Sequence, residues 1–140
     1  MKPYYHKVQY YETDKMGITH HSNYIRWLEE ARVDYLSQIG CGFDVMEKEG
    51  ICSPVLEVSC RYHKTSTFAD VIEITTKITR FNGLRMTVSY EMKNTKDNAL
   101  ICTAESKHCF LNKDFKPFNL RSTPYMEMFQ KRVEHDTENK

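Results

Sequence analysis

From Pro54 onward the chain repeats apolar and polar residues with a period of two, in successive runs behind a single long helical stripe, and this narrows the fold more than any other feature. Leu56, Val58, Cys60 and Tyr62 alternate with Glu57, Ser59, Arg61 and His63, as a strand with one buried face requires. Ile72, Ile74 and Ile78 alternate with Glu73, Lys77 and Thr79. Asn82-Gly83 is a hairpin signal, and Leu84, Met86, Val88, Tyr90 and Met92 resume the pattern beyond it. Lys96-Asp97-Asn98 turns the chain into Ala99–Leu111, which sets Leu100, Cys102, Ala104, His108 and Phe110 opposite Thr103, Glu105 and Lys107. Asn112-Lys113-Asp114 closes that strand.

The stripe itself spans Tyr24 to Ile39. Apolar residues at 24, 25, 28, 31, 35, 36 and 39 recur at helical spacing, with Arg26, Glu29, Glu30, Arg32 and Asp34 on the wetter sides. Ser22 or Asn23 can cap its start and Gly40 can end it. Thr123 before Pro124 opens a short second helix to about Arg132. With no repeat, linker or low-complexity tract, helix and strands must share one core over residues 1–133, and 134–140 reads as a frayed tail. The class is α+β: an antiparallel sheet of about five strands wrapped around one long central helix. Such a sheet leaves an outer face and an edge strand to be covered, which predicts a second copy of the chain.

Before the stripe runs YYETDKMGITHHSNY, from Tyr10 to Tyr24. It places Asp14 ahead of a tight turn at Gly17, then His20 and His21 at the helix start. Backbone N–H groups there lack intrahelical partners and carry the positive end of the helix dipole, so a polarised carbonyl can be held without a metal. The chemistry suggested is acyl transfer. On residue type alone Asp14 is a turn residue or helix cap, Tyr10 a packed strand tyrosine, and His20 a surface histidine. Zinc is a poor reading of His20, His21 and Asp14, because neighbouring residues at a helix start diverge and no third ligand stands at metal spacing.

The spacing Asp14, Gly17, His21, Asn23, Tyr24 resembles that of the hotdog-fold acyl-CoA thioesterases of the 4-hydroxybenzoyl-CoA thioesterase type, and especially the YbgC-like branch. The order of helix and strands extends the likeness over Pro3 to Phe129. The resemblance implies a hotdog fold, homodimers often joined into tetramers, and thioester hydrolysis with no cofactor or metal. It makes Asp14 the nucleophile or the general base toward the thioester. His21 becomes an oxyanion donor through its N–H, or orients water or protonates the leaving sulfur through its imidazole. Tyr10 resembles the tyrosine grouped with that pair in YbgC-like sites. Basic residues about the hairpin are implied to meet the coenzyme phosphates, so Gly17, Lys64, Arg80, Gly83 and Arg85 form the expected substrate-binding set. Acyl carrier protein in place of acyl-CoA, or binding without catalysis, are the rival readings.

Composition excludes other classes. Lys plus Arg number 20 against 19 for Asp plus Glu, so no overall field exists to hold nucleic acid. Five cysteines without a CxxC pair read as reduced thiols. No run of about 18 apolar residues and no secretory leader is visible, which predicts a cytoplasmic protein.

Overall fold

The computed structural model describes residues 1–138. In chain order its elements are β1 (Tyr4–Lys7), a 3₁₀ turn (Tyr10–Glu12), α1 (Ser22–Gln38), α2 (Phe43–Lys48), β2 (Val55–Tyr62), β3 (Val71–Phe81), β4 (Arg85–Asn94), β5 (Leu100–Cys109), a 3₁₀ turn (Leu120–Ser122) and α3 (Tyr125–Glu138). The five strands form one antiparallel sheet in the order β1-β3-β4-β5-β2. This is the α+β arrangement the alternation predicts. The short β1 and α2 escape it, since four and six residues carry too little periodicity.

α1 supplies Tyr24, Trp27, Leu28, Ala31, Tyr35 and Leu36 to a core shared with Ile72, Ile74 and Ile78 of β3 and Met86, Val88, Tyr90 and Met92 of β4. Each large side chain buried there contributes about 1.5–3 kcal/mol. The helix ends as Gly40 permits. With φ of +83°, Gly40 donates to the Ser37 carbonyl and Cys41 donates to that of Leu36, a Schellman stop. Its start differs from expectation. The N-cap is His21, no side chain caps it in the usual sense, and Ser22 is already helical.

Three further features depart from the pattern reading. The outer face of the sheet carries Glu73, Thr75, Lys77, Thr87, Ser89, Glu91, Thr103, Glu105 and Lys107, so it is polar. β2 alternates as expected, yet Val55, Leu56, Val58 and Tyr62 are all exposed within the protomer. The reason is position: β2 is the sheet edge beside β5, whereas α1 packs toward β1 and β3 at the other side. Arg32, placed by the stripe on a wetter side, is buried.

A last departure is α3. It runs to Glu138 rather than to Arg132, so 134–138 is ordered helix and not a frayed tail; residues 139 and 140 lie outside the described residues. Phe129 packs on Phe81 and Phe110, with ring centroids 5.0 and 5.8 Å away. Asp136, 4% exposed, fixes the last turn: it accepts from Tyr35 Oη, from the Ile78 N–H at 2.9 Å and from Arg132 Nε at 2.9 Å. One carboxylate thus ties α3 to α1 and to the irregular point of β3 between Ile78 and Arg80. Asp136→Ala strands a buried hydroxyl, a backbone donor and a guanidinium, and a loss of about 3 kcal/mol is expected. Denaturant unfolding followed by far-ultraviolet dichroism measures it; a loss within error of zero contradicts the clasp.

Candidate active site

The segment between β1 and α1 is held from below by Glu12. Its side chain is 5% exposed and accepts from His6 Nε2 at 2.8 Å, from the Gln9 N–H at 2.8 Å and from Trp27 Nε1 at 2.7 Å. Burial acts to raise this carboxyl, but the donors from Gln9, His6 and Trp27 outweigh it and hold it below the ordinary 4.5. The Glu12 carbonyl then accepts from the His20 N–H at 2.8 Å and from Asn23 Nδ2 at 2.9 Å. Asn23 also donates to the His20 carbonyl at 3.2 Å. Its place in the motif is therefore that of a clamp joining the loop to the first turn of α1.

Between these fixed ends, residues 13–19 form a small hairpin, with Thr13 opposite Thr19 and the Asp14 N–H donating to the Ile18 carbonyl at 2.9 Å. The Gly17 N–H closes the turn on the Asp14 carbonyl at 2.9 Å. Gly17 has φ of +80°, and a Cβ on it would meet nothing within 4 Å. Glycine is required there for backbone conformation and not for close approach. Asp14, half-buried, accepts from the Met16 N–H through Oδ1 at 2.8 Å; Oδ2 accepts from no described residue. The hairpin also docks on the loop after β2. Thr67 Oγ1 donates to the Gly17 carbonyl at 2.7 Å, the Thr19 N–H donates to the Ser66 carbonyl at 2.8 Å, and Tyr24 Oη meets Ser66 Oγ at 2.9 Å.

At the head of α1 the His20 imidazole accepts from the Ser22 N–H at 3.3 Å and meets Ser22 Oγ at 2.8 Å, so His20 fills the capping role that the sequence suggested for Ser22 or Asn23. The His21 N–H has no acceptor among the described residues. Its ring stacks on His20 at 4.4 Å and stands edge-on to Tyr62 at 6.3 Å, and Tyr62 Oη donates to the His21 carbonyl at 3.4 Å. Burial, followed by the neighbouring Cys60 thiol, pushes Tyr62 up to about 12, which keeps it a neutral donor.

The sequence-derived residues divide into two groups. Asp14, Gly17, His21, Tyr10 and Lys64 all belong to the loops and turns gathered at one end of the sheet. Tyr10 lies on a 3₁₀ turn rather than a strand, is 77% exposed, and sets its ring edge-on to Phe68 at 5.9 Å. Lys64 is exposed on the loop that receives the Asp14 hairpin. Arg80, Gly83 and Arg85 sit at the other end of β3, whose 11 residues span about 33 Å. Within one protomer they do not join the first group. Gly83 is buried with φ of +91°, and a Cβ there would meet Asn119 Oδ1 at 2.7 Å and Met126 Sδ of α3 at 3.1 Å, so backbone conformation and close packing together explain that glycine. Glu12 and Tyr62 are members of the site that pattern reading passed over. A buried tryptophan needs an acceptor for its indole N–H, and that requirement was the one available pointer to Glu12.

Comparisons with known proteins bear on the family and the fold. Residues 8–133 match the family model described as thioesterase-like superfamily. A provisionally named acyl-CoA thioesterase of Bacillus subtilis strain 168, YneP, is 32% identical over 115 residues, covering 82% of this chain and 83% of that protein. Acyl-CoA thioester hydrolase YbgC of Escherichia coli O6:H1 is 26% identical, covering 71% of this chain and 73% of its own. The solved DHNA-CoA thioesterase of Staphylococcus aureus superposes with a TM-score of 0.91 at 34% identity, covering 99% of this chain and 95% of that one.

Glu12 gives the site a pH-dependent foundation. Because its folded carboxyl titrates below the ordinary 4.5, its stabilisation is complete above that value and is lost as pH falls through the lowered one. Glu12→Gln is expected to cost about 2 kcal/mol at pH 7. The gap between parent and variant should close on acidification below about 4.5. Unfolding followed by Trp27 fluorescence measures both; a gap that is constant from pH 7 to 3 contradicts the assignment.

Proposed function

The chain belongs to the thioesterase-like superfamily and carries its hotdog fold, and from that premise we propose that it hydrolyses the thioester of an acyl-CoA to the free acid and CoA. One observation carries the reading: an uncommitted N–H at the head of α1 and an uncommitted oxygen of Asp14 are held on one braced loop. The thioester carbonyl accepts from the His21 N–H, whose position at the positive end of the helix dipole favours the developing oxyanion. Asp14 then acts in one of two ways. It attacks the carbonyl carbon, expels CoA thiolate and leaves a mixed anhydride that water opens, or it takes a proton from water that attacks directly. In either route the C–S bond breaks and the thiolate gains a proton, a role this reading gives to the His21 imidazole. Lys64, on the loop against which the Asp14 hairpin docks, is our candidate to meet the coenzyme phosphates; Arg80 and Arg85, at the other end of β3, would do so from a second copy.

A second copy also answers the exposed edge. β2 offers unpaired backbone groups and Val55, Leu56, Val58 and Tyr62 to solvent, a combination that edge strands rarely leave open. The reading therefore includes a homodimer at least, with β2 in or beside the interface.

Asp14→Asn is expected to lower kcat by more than about 100-fold with substrate binding within a few-fold, measured by thiol release from a panel of acyl-CoA esters. Equal turnover removes Asp14 from the site. In the same assay His21→Ala should cost about 100-fold if the imidazole acts, and little if the backbone N–H alone serves. Faster release from acyl carrier protein than from CoA would move the substrate to the carrier, and tight CoA binding without release would make the protein a binder. Light scattering at micromolar concentration should give at least twice the 16.6 kDa of the chain; an active monomer contradicts the dimer.

A further inference from the structure

Arg32 is 6% exposed, yet no carboxylate of the described residues pairs with it. Nη1 donates to Tyr90 Oη at 3.3 Å, and Nε donates to nothing. A buried guanidinium without an anion is rare, because removing its charge from water is costly unless the charge is paired. The groups behind it offer no relief. Tyr90 Oη and Ser106 Oγ are 2.6 Å apart, and Ser106 Oγ lies 2.8 Å from His108 Nε2; all three residues are buried. Burial and then the Arg32 charge push His108 down to about 4, so its ring is neutral, and its Nδ1 has no hydrogen-bond partner among the described residues. Tyr90 takes one N–H from Arg32, and these neutral groups supply no negative charge to balance the guanidinium.

Beside Arg32 is a cavity of about 130 Å³ between α1 and β2. Ile25, Leu28, Val55 and Val58 form apolar walls, Arg32 and Ser106 form the polar part, and Glu29 stands at the exposed rim. A void of about 150 Å³ can take a benzene-sized group. Apolar walls with a few convergent polar groups are the ordinary make-up of a small-molecule site. The cavity begins one turn after His21 at Ile25 and extends toward Arg32, which follows His21 by about 16 Å of helix rise and leans its side chain back toward the helix start.

Resting on the thioesterase reading above, we propose that Arg32 is a specificity-determining residue, whose free N–H groups bind an acceptor oxygen carried by the acyl group seated between α1 and β2. Plain hydrocarbon acyl groups of the same size leave the guanidinium unsatisfied and are selected against. The acceptor can be a ring hydroxyl or a terminal carboxylate, and the test separates them.

Parent, Arg32→Met and Arg32→Lys are compared on two matched pairs of esters, benzoyl-CoA with 4-hydroxybenzoyl-CoA and valeryl-CoA with glutaryl-CoA. In one pair at least, Arg32→Met should lower kcat/KM for the oxygen-bearing member by about 10- to 100-fold, the range for a lost bond to a charged donor, and leave the plain member within about threefold. Arg32→Lys should recover part of the preference. The pair that responds identifies the oxygen. Because Arg32→Met deletes an unpaired buried charge, its Tm in the absence of ligand should equal or exceed that of the parent, the reverse of what a structural arginine gives. Preference ratios that match the parent in both pairs overturn the proposal. If the parent cleaves none of the four esters, the thioesterase reading fails instead. The cavity is then decided by calorimetric titration with free 4-hydroxybenzoate and glutarate: binding by the parent that Arg32→Met loses supports it, and equal or absent binding in both overturns it.

Discussion

The buried carboxylate of Glu12 is the contact on which the rest of this molecule depends. Its acceptors gather a histidine from β1, a backbone amide at the head of the 3₁₀ turn and the tryptophan of α1, three groups that are far apart in the chain or in type. A charge taken out of water holds its neighbours strictly, since each donor withdrawn leaves part of the desolvation cost uncovered. The path of the chain from β1 to α1 has little freedom left once those donors are placed. The turn that presents Asp14 and the amide of His21 inherit their positions from it.

Helix and strands could be read from sequence where the core is made by neighbours in the chain. The stripe along α1, the hairpin at Asn82-Gly83 and the alternation in β3, β4 and β5 all reappear in the structure, because each element there has one side against the same core. Pattern fails where burial depends on which element lies above. β2 has a regular alternation but only partial cover from α1, and Arg32 is chemically a surface residue that the fold draws inside. α3 looks short because its last turn is polar; the turn is held by Asp136, a contact to Tyr35 that spans most of the chain. The site shows the same division. The spacing of Asp14, Gly17 and His21 was legible because a turn and a helix start are local, whereas Glu12, Asn23 as a clamp and the separation of Arg80 and Arg85 from Asp14 follow from tertiary packing.

Two buried charges in one small core make an instructive contrast. Glu12 accepts from three donors, His6, Gln9 and Trp27. Arg32 has one neutral hydroxyl, itself turned away toward Ser106 and His108. A protein optimised for folding alone would replace such a residue with a hydrocarbon side chain, and natural sequences keep local violations of this kind chiefly where function requires them.

β2 is at once the open margin of the sheet and, through Val55 and Val58, a wall of the cavity beside Arg32. Residues on such a strand answer to two selective pressures together. In the proposed dimer, a substitution that reshapes the cavity would also change the surface offered to the second copy, so duplicated genes diverging here would drift in ligand preference and in pairing compatibility at the same time. Mixed assemblies between old and new copies would be disfavoured early, and the two lineages would become biochemically insulated without any change to the loop that bears Asp14.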